Sequence, residues 1–384
     1  MQKGRSRLKI VIAAGGTGGH LFPAQALALD LIQSKPELEV VFMSPGLAKN
    51  PYFQKDHFPY REIASATPYK KHPLQLLKAF FQLMKGTLQS LHHLGRIRPK
   101  VVIGFGSFHS FPILLAAKLH RIPIVLFESN AVPGKVNRFC SRWSKFTAIH
   151  FMRAAKYLKG KTVCVRMPLL KKDSGISQQK AREYFELDQE KLTFLIFGGS
   201  QGAQAINRFF CASLEKLLSK DFHFQVVHIV GNPERAEKLR EVYSKYNIPA
   251  SVKPFEEKMD FAWSAADLSI SRAGAATLAE QIEFSIPGIL IPYPYATENH
   301  QGKNASFVAE EIKGGVKLPE KDLNSDKLVS IIEELLQSQE RKLKDMKKSL
   351  QDFKEAEDKE DFCSVIFNFL DTRTPSVKSK RVPL

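Results

Sequence analysis

Few of the signals that assign a sequence to a common functional class are present in this chain of 384 residues. It has only four cysteines, whose spacing fits neither a metal site nor a redox pair, so we expect buried thiols in a reducing compartment. No apolar run approaches the roughly 18 residues that a membrane-spanning helix needs. The basic start followed by an apolar stretch lacks a signal-peptide cleavage site, which indicates a first strand and a cytosolic protein.

Two nucleotide-binding fingerprints are also missing from the glycine-rich stretch at residues 15–19. The dinucleotide pattern would need a third glycine at Leu21, and the second predicted strand ends at Phe42-Met43-Ser44 without the acidic residue that binds a ribose. A P-loop would need Gly-Lys-Ser/Thr after the glycines. The stretch is therefore neither the familiar dinucleotide loop nor a P-loop.

Acidic residues are too few to balance the basic ones. The 57 lysines and arginines exceed the 39 aspartates and glutamates by 18, which predicts nucleic acid, an anionic membrane surface or a phosphorylated substrate as a partner. An RNA-binding aromatic signature, a zinc finger and a clear helix-turn-helix are missing, so we expect no nucleic acid. A hydrophobic content of 43% and this length suffice for two domains with proper cores.

What the sequence does contain is one pattern that occurs twice. Residues 10–14 form an apolar run typical of a buried parallel strand, followed by the glycines of 15–19 and a helical pattern behind Pro23. Residues 192–218 repeat the order of strand, glycine-rich loop and helix. Both loops are candidate phosphate sites, because glycine lets the backbone approach a ligand and a helix N-terminus favours an anion. The repeat predicts an α/β chain of two halves.

One histidine directly follows the first loop. A lone histidine is more often a helix cap or a core residue than a catalyst, but His20 begins the helix beside the predicted anion site. Its position makes it a candidate general base.

Further apolar runs separated by helical patterns predict parallel sheets with right-handed crossovers. The run at 123–127 would deliver Glu128-Ser129-Asn130 to the carboxyl edge of its sheet, where ligands bind in open α/β folds. Residues 159–190 have mixed charge and weak periodicity, as a connection between domains would. The other strands are predicted at 39–44, 101–104, 146–150, 224–230, 250–254, 268–271 and 288–291.

The stretch 74–94 has large apolar residues at helical spacing, surrounded by lysines and arginines. One interpretation is a core helix with a solvated basic face. The other is that part of its apolar face is exposed and lies in a membrane interface. The apolar residues are Leu76, Leu77, Phe80, Phe81, Met84, Leu88 and Leu91.

Six motifs in order then point to one family. They are GGTGGH (15–20), GFGSF (104–108), ESN (128–130), GGSQGAQ (198–204), SRAGAAT (271–277) with Glu280, and HQGKNA (300–305). Over residues 8–370 this combination resembles the MurG family, within glycosyltransferase family 28. The resemblance implies the GT-B architecture, with two Rossmann-like domains whose parallel sheets face a central cleft. We expect an N-terminal domain at 1–165, a connection at 166–190, a C-terminal domain at 191–370 and a basic, disordered tail at 371–384.

The resemblance also implies an activity. It is the inverting transfer of N-acetylglucosamine from UDP-N-acetylglucosamine to the C4 hydroxyl of the muramyl unit of lipid I, which gives lipid II for peptidoglycan. His20 would be the base, and neither a cofactor nor a metal is implied. The enzyme would work peripherally at the cytoplasmic face of the cell inner membrane, on an anionic lipid surface and alongside other cell-wall synthesis proteins.

The family's binding residues can be carried over to matching positions. Those implied to bind UDP-N-acetylglucosamine are Gly16, Thr17, Gly18, Asn130, Ser200, Gln201, Phe255, Glu256, Ala276, Thr277, Glu280 and Gln301. Those implied to bind the acceptor pyrophosphate are Gly15, Gly19, Gly104, Gly106 and Ser107.

Departures from the family pattern leave alternatives open. Leu170 stands where an arginine is usual, and Ser129 stands where a glutamine is usual. In the acceptor loop, Ser107 and Phe108 stand where a second glycine and a tyrosine are usual. Arg166 is near enough to substitute for the missing arginine. The alternatives are a related GT-B transferase with a diacylglycerol-type acceptor, and a catalytically impaired homologue that still binds a UDP-sugar.

Overall fold

The computed structural model describes residues 8–66, 73–169, 175–199, 202–337, 341–356 and 359–372. Its chain divides into two compact units. The first contains residues up to 129, 133–170 and those from 359 onward, and the second contains 130–132 and 171–358. Each unit is an α/β domain with a parallel sheet, as the sequence predicts.

The first unit is built on a fully parallel sheet in the order β3-β2-β1-β4-β5-β6-β7. Its strands are β1 (Lys9–Ala13), β2 (Glu39–Ser44), β3 (Tyr60–Glu62), β4 (Val101–Gly104), β5 (Ile124–Glu128), β6 (Phe146–Ile149) and β7 (Thr162–Cys164). Its helices, numbered in chain order with those of the second unit, are α1 (Gly18–Ser34), α2 (Pro73–Ile97), α3 (Phe111–Leu119), α4 (Lys135–Cys140) and α14 (Phe362–Asp371). Short 3-10 helices cover Leu47–Lys49, Phe108–Ser110 and Met152–Tyr157.

The second unit repeats this plan, with a parallel sheet in the order β10-β9-β8-β11-β12-β13. Its strands are β8 (Leu192–Phe197), β9 (Phe224–Ile229), β10 (Ala250–Lys253), β11 (Leu268–Ser271), β12 (Gly288–Leu290) and β13 (Gly315–Lys317). Its helices are α5 (Gln178–Tyr184), α6 (Gln204–Cys211), α7 (Leu214–Leu218), α8 (Pro233–Lys245), α9 (Met259–Ala265), α10 (Ala275–Phe284), α11 (His300–Ser306), α12 (Ser325–Leu336) and α13 (Arg341–Ala356). The 3-10 helices Thr297–Asn299 and Glu320–Asp322 and the π-helix Phe307–Ile312 complete it.

The duplicated strand, loop and helix occupy equivalent central positions in the two sheets. In the first unit β1 pairs with β2 and β4, and in the second β8 pairs with β9 and β11. Both central strands are apolar almost throughout because helices cover both faces of such a sheet. Their glycine-rich turns therefore leave the carboxyl edge near its middle.

The end of the chain joins a unit that the sequence does not assign it to. The sequence predicts the second domain to extend to residue 370, whereas α14 packs in the first unit. Phe362 stacks on Phe127, with ring centroids 5.3 Å apart, and Glu360 forms a bridge with Val165. An amphipathic helix shows that it needs a core, but its pattern does not show which core it joins.

The predicted connection at 166–190 contains a helix of the second unit. In α5 the side chain of Ala181 is fully buried, and the Arg182 guanidinium donates a hydrogen bond of 2.7 Å to Asp267. Weak periodicity hides this helix because it has only seven residues. The short elements β3, β7, β13 and α9 are likewise not anticipated, and the helix predicted at 203–218 is divided into α6 and α7.

Helix α2 buries only part of its apolar face and exposes most of the large residues of its first four turns. On the core side Ala79 and Leu94 are buried, and a Cβ on Gly86 would lie 1.8 Å from the Ala64 carbonyl oxygen. The two phenylalanines Phe80 and Phe81 are more than half exposed. Leu76, Leu77, Met84 and Leu88 are exposed as well. Within the described ranges, no helix is long and apolar enough to cross a membrane.

Candidate active site

Two glycine turns of the first unit lie side by side at the carboxyl edge of its sheet. The turn after β1 contains Gly15 and Gly16, and the turn after β4 contains Gly106 and Ser107. Because β1 and β4 are paired, the two turns meet. A Cβ on Gly15 would lie 2.6 Å from Ser107 Cβ and 3.4 Å from the imidazole Cγ of His20. The predicted acceptor loop and the predicted base thus form one cluster.

His20 lies in the first turn of α1, which begins at Gly18. Its Nδ1 is 3.0 Å from Thr17 Oγ1, and this contact orients the imidazole ring. Thr17 has the extended backbone of an N-cap residue, but its side chain is used for His20 rather than for capping. The first turn of α1 contains no acidic residue, so the N-terminal amides favour an anion.

The backbone of the second turn is strained at one residue. Ser107 has φ 71° and ψ 151°, a conformation that is essentially restricted to glycine. Hydrogen bonds hold it there, since Ser107 Oγ accepts from His109 N and the Ser107 carbonyl accepts from Ser110 Oγ at 2.9 Å. The neighbouring Gly106 also has a positive φ of 79° and faces Asn137. Serine therefore stands at a position that demands glycine geometry.

Two side chains fix the end of β5, where the ESN motif begins. Glu128 is buried, and its Oε2 accepts hydrogen bonds from Asn137 Nδ2 at 2.9 Å and from Gly134 N at 3.1 Å. Asn137 also donates to the Phe127 carbonyl. Glu128 is therefore a structural support of this edge.

The predicted sugar-binding Asn130 belongs with the second unit, in the segment 130–132. The buried Asn304 donates a hydrogen bond of 3.1 Å to Asn130 Oδ1 and accepts one of 2.9 Å from Ala131 N. It also donates to the Ala273 carbonyl. Asn304 lies inside the HQGKNA motif, so the sequence contained the signal for this support, but its role depends on contacts across 173 residues.

The predicted diphosphate loop follows β8. Gly199 and Gly202 have positive φ values of 80° and 69°, and a Cβ on Gly202 would lie 2.3 Å from the Val230 carbonyl oxygen. Glycine is thus required at 202 for both conformation and space. Ser200 and Gln201, predicted to bind the donor, lie outside the described residues, as do Leu170 and most of the predicted tail.

A second helix N-terminus lies beside this loop. Strand β11 pairs with β8, and α10 begins at Ala275 directly after the turn that follows β11. Ala276 and Thr277 occupy its first turn and are half-buried. Their backbone amides are oriented as an anion site would require.

Glu280 lies one turn further along α10 and carries an altered carboxyl group. Burial raises the pKa of Glu280 to about 7, the hydrogen bond from the Trp263 indole opposes this shift, and the charge of Asp260 adds to it. The Trp263 Nε1 donates to Glu280 Oε2 at 2.8 Å. The carboxyl group is thus held by a hydrogen bond, and its pKa lies near neutral pH. Trp263 and Asp260 are both on α9, the helix that the sequence does not indicate.

Phe255 and Glu256 follow β10 and point in different directions. The Phe255 ring is largely exposed, whereas Glu256 is buried and its carboxylate pairs with Lys253 at 2.6 Å. Burial by itself raises the pKa of Glu256, but the hydrogen bonds from Lys253 and from Lys258 N outweigh it and lower that pKa. The carboxylate is thus used internally, and the Phe255 ring and the backbone are what this turn presents.

Gln301, in the first turn of α11, supports a loop. Its Oε1 accepts a hydrogen bond of 2.9 Å from Tyr293 N. Arg272, from the SRAGAAT motif, lies over the Tyr293 ring and pairs with Glu320 at 2.5 Å. In the parts of the chain that the structure describes, no group of three or more His, Cys, Asp or Glu side chains could hold a metal ion.

Comparison with known proteins places both units in one family. Residues 10–149 match the glycosyltransferase family 28 N-terminal domain, and residues 193–360 match its C-terminal domain. A UDP-N-acetylglucosamine--N-acetylmuramyl-(pentapeptide) pyrophosphoryl-undecaprenol N-acetylglucosamine transferase of Protochlamydia amoebophila is 43% identical over 85% of this chain and 87% of its own. The protein of the same name from Chlamydia pneumoniae is 37% identical over 87% of this chain and 91% of its own.

Solved structures agree with this likeness. The crystal structure of Acinetobacter baumannii MurG matches with a TM-score of 0.74 and 25% identity, over 95% of this chain and 99% of that one. A UDP-glucosyltransferase from Polygonum tinctorium matches with a TM-score of 0.67 over 96% of this chain and 99% of its own. At 11% identity the second likeness shows the fold alone.

Proposed function

This chain belongs to glycosyltransferase family 28, in the MurG group, and we propose that it transfers N-acetylglucosamine from UDP-N-acetylglucosamine to the C4 hydroxyl of the muramyl unit of lipid I. The product is lipid II, a precursor of peptidoglycan. The observation that carries the proposal is that the likeness to transferases of this name spans both units of the chain.

His20 acts as the general base in this proposal. To accept a proton at Nε2, the imidazole must carry its hydrogen on Nδ1 and donate it to Thr17 Oγ1, 3.0 Å away. As His20 takes the proton, the C4 oxygen bonds to the anomeric carbon and the bond from that carbon to the UDP oxygen breaks. This single displacement inverts the α-linked donor to a β-1,4 product.

The leaving diphosphate is stabilised by backbone amides. Gly199 and the first turn of α10 provide N–H groups at the carboxyl edge of the second sheet. Glu280 accepts hydrogen bonds from the ribose hydroxyls, and the Phe255 turn binds the uracil ring. The acceptor pyrophosphate is held by Gly15, Gly106 and Ser107 in the two turns, with Gly104 at the end of β4 and Gly19 in the first turn of α1.

The enzyme associates peripherally with the cytoplasmic face of the cell inner membrane through α2. The undecaprenyl chain of the acceptor stays in the bilayer, so the enzyme must approach the headgroups. Phe80 and Phe81 provide exposed apolar contact, and Lys78 and Lys85 are exposed on the same helix. The formal charge of +18 supports an anionic surface.

The decisive experiment is transfer of radiolabelled sugar from UDP-N-acetylglucosamine to a lipid I analogue, with diacylglycerol as the competing acceptor and His20→Ala as the matched control. Labelled lipid II analogue is the expected product. Label on diacylglycerol instead would establish the alternative acceptor. UDP binding without transfer to either acceptor would identify an impaired homologue.

A further inference from the structure

The indole of Trp263 connects two parts of the donor site in the second unit. Trp263 is fully buried, and its ring packs edge-on against Phe197, with centroids 5.5 Å apart and planes at 89°. Phe197 is the last residue of β8, directly before Gly198 of the diphosphate loop. On its other side the indole donates its only N–H to Glu280 Oε2 at 2.8 Å.

A buried indole N–H needs a hydrogen-bond partner, but that partner need not be a titratable side chain on another helix. Most side-chain hydrogen bonds in proteins go to backbone groups or to water. Here the buried N–H goes to a carboxylate, which makes the bond charge-assisted and directional. A side chain on the proposed ribose site is thereby fixed by one on a different helix.

The charges around the carboxylate make this bond important. Burial and Asp260 on α9 both raise the pKa of Glu280, and the Trp263 N–H acts against them. On the side of α10 that faces α13, Glu283 pairs with Lys354 at 3.0 Å. The indole is thus the group that lowers the pKa of Glu280, and its removal would favour the protonated acid at neutral pH.

We propose that Trp263 is a positioning residue for donor binding. Its N–H holds the Glu280 carboxylate in one orientation and in the ionised form, which accepts hydrogen bonds from the ribose hydroxyls. The inference rests on the proposed function, which places the ribose at Glu280. Its contact with Phe197 also fixes the base of the diphosphate loop relative to that carboxylate.

Trp263→Phe tests this directly, because phenylalanine keeps an aromatic ring beside Phe197 and lacks the N–H. We expect KM for UDP-N-acetylglucosamine to rise about 3- to 10-fold with kcat nearly unchanged, the range of one net hydrogen bond. The pH midpoint of donor binding should move upward by about half a unit to one unit. A folded Trp263→Phe protein with the same KM and the same pH midpoint as the wild type would overturn the proposal.

The variant Glu280→Gln separates this inference from the proposed function. If Glu280 binds the ribose, Glu280→Gln raises KM, and Trp263→Phe adds little in that background because the two groups act as one unit. An unchanged KM in Glu280→Gln would overturn the donor assignment itself. A raised KM in Glu280→Gln with fully additive effects in the double variant would overturn only the role of Trp263.

A spectroscopic measurement covers the case in which Trp263→Phe does not fold. The chain has two tryptophans, so Trp143→Phe leaves Trp263 as the single indole. Its fluorescence should titrate with a midpoint near pH 7, shift that midpoint downward when UDP-N-acetylglucosamine binds, and lose the titration in Trp143→Phe/Glu280→Gln. Trp263 fluorescence that changes neither with pH nor with donor binding would contradict the coupling between Trp263 and Glu280.

Discussion

Gly15 and Ser107 approach each other so closely that only one of them can carry a side chain: a Cβ on Gly15 would lie 2.6 Å from Ser107 Cβ and 2.8 Å from its Oγ. The serine also has a φ of 71°. The two turns that we propose for the acceptor pyrophosphate are thus matched to each other, and the pair allows two tests.

The first prediction concerns the strain at Ser107. Ser107→Gly should raise the free energy of unfolding by about 1 kcal/mol, since relief of about 1–3 kcal/mol of backbone strain exceeds the entropic cost of glycine. Urea unfolding monitored by circular dichroism measures it. Ser110→Gly is the matched control: Ser110 has φ −81° in the same turn, so its replacement should destabilise. A less stable Ser107→Gly protein would contradict the strain.

The second prediction concerns the match of the two turns. Gly15→Ala alone should destabilise the protein, because the new methyl group collides with Ser107. In the Ser107→Gly background, the atom nearest to a Cβ at residue 15 is His20 Cγ, at 3.4 Å. Gly15→Ala should therefore be tolerated in that background. We expect a favourable coupling of about 0.5–3 kcal/mol in the double-mutant cycle of unfolding free energies. Additive effects would mean that the turns adjust independently.

The third prediction concerns the base. His20→Ala should lower kcat by roughly 10²–10⁴ and leave UDP binding near that of the wild type. Thr17→Val should lower kcat by about 2- to 10-fold because it removes the hydrogen bond to Nδ1. Thr17→Ser keeps the hydroxyl and serves as the control. Near-normal turnover in folded His20→Ala would leave His20 only a capping or positioning role.

The fourth prediction concerns stability and pH at Glu280. Its pKa rises from 4.5 to about 7 on folding, so the native state binds the proton more tightly, and its ionisation costs stability as pH rises through this window. Because glutamine cannot ionise, the unfolding free energy of Glu280→Gln should increase relative to that of the wild type as pH rises from 4.5 to 7. Above pH 7 the difference between the two proteins should stay constant.

Urea unfolding at a series of pH values measures the difference. Glu333→Gln is a control of opposite sign, because the hydrogen bond from Lys220 lowers the pKa of Glu333. Loss of the Glu333 carboxylate should lower the free energy of unfolding at neutral pH and have a smaller effect in acid. A pH-independent difference between Glu280→Gln and the wild type would contradict the shifted pKa.

The fifth prediction concerns the membrane. Phe80→Ser/Phe81→Ser should reduce binding to neutral and anionic vesicles, and charge reversal at Lys78 and Lys85 should reduce binding to anionic vesicles only. Wild-type binding to anionic vesicles should fall as salt rises and retain an apolar remainder. Met152→Ser is the matched control, since Met152 is 54% exposed, close to the 56% of Phe80, outside α2. Unchanged co-sedimentation of both variants would place the docking surface elsewhere.

Local patterns in the sequence determined the elements that carry the chemistry. Fully apolar runs identified β1 and β8 because buried parallel strands need apolar side chains on both faces. Glycines identified the turns, since Gly202 needs both a positive φ and a bare Cα. The order of strands, turns and helices followed, and with it the α/β class and the position of His20 at the start of α1.

Only the tertiary structure decided which distant residues support one another. Asn304 holds residues 130–132, Trp263 holds Glu280, and α14 joins the first unit, all through contacts that join residues far apart in sequence or depend on a short helix without a clear pattern. The same holds for α2, in which Leu94 faces the core while Phe80, Phe81 and other large apolar residues nearer its start are exposed. Helical periodicity reports that a face is apolar, but packing decides what that face meets.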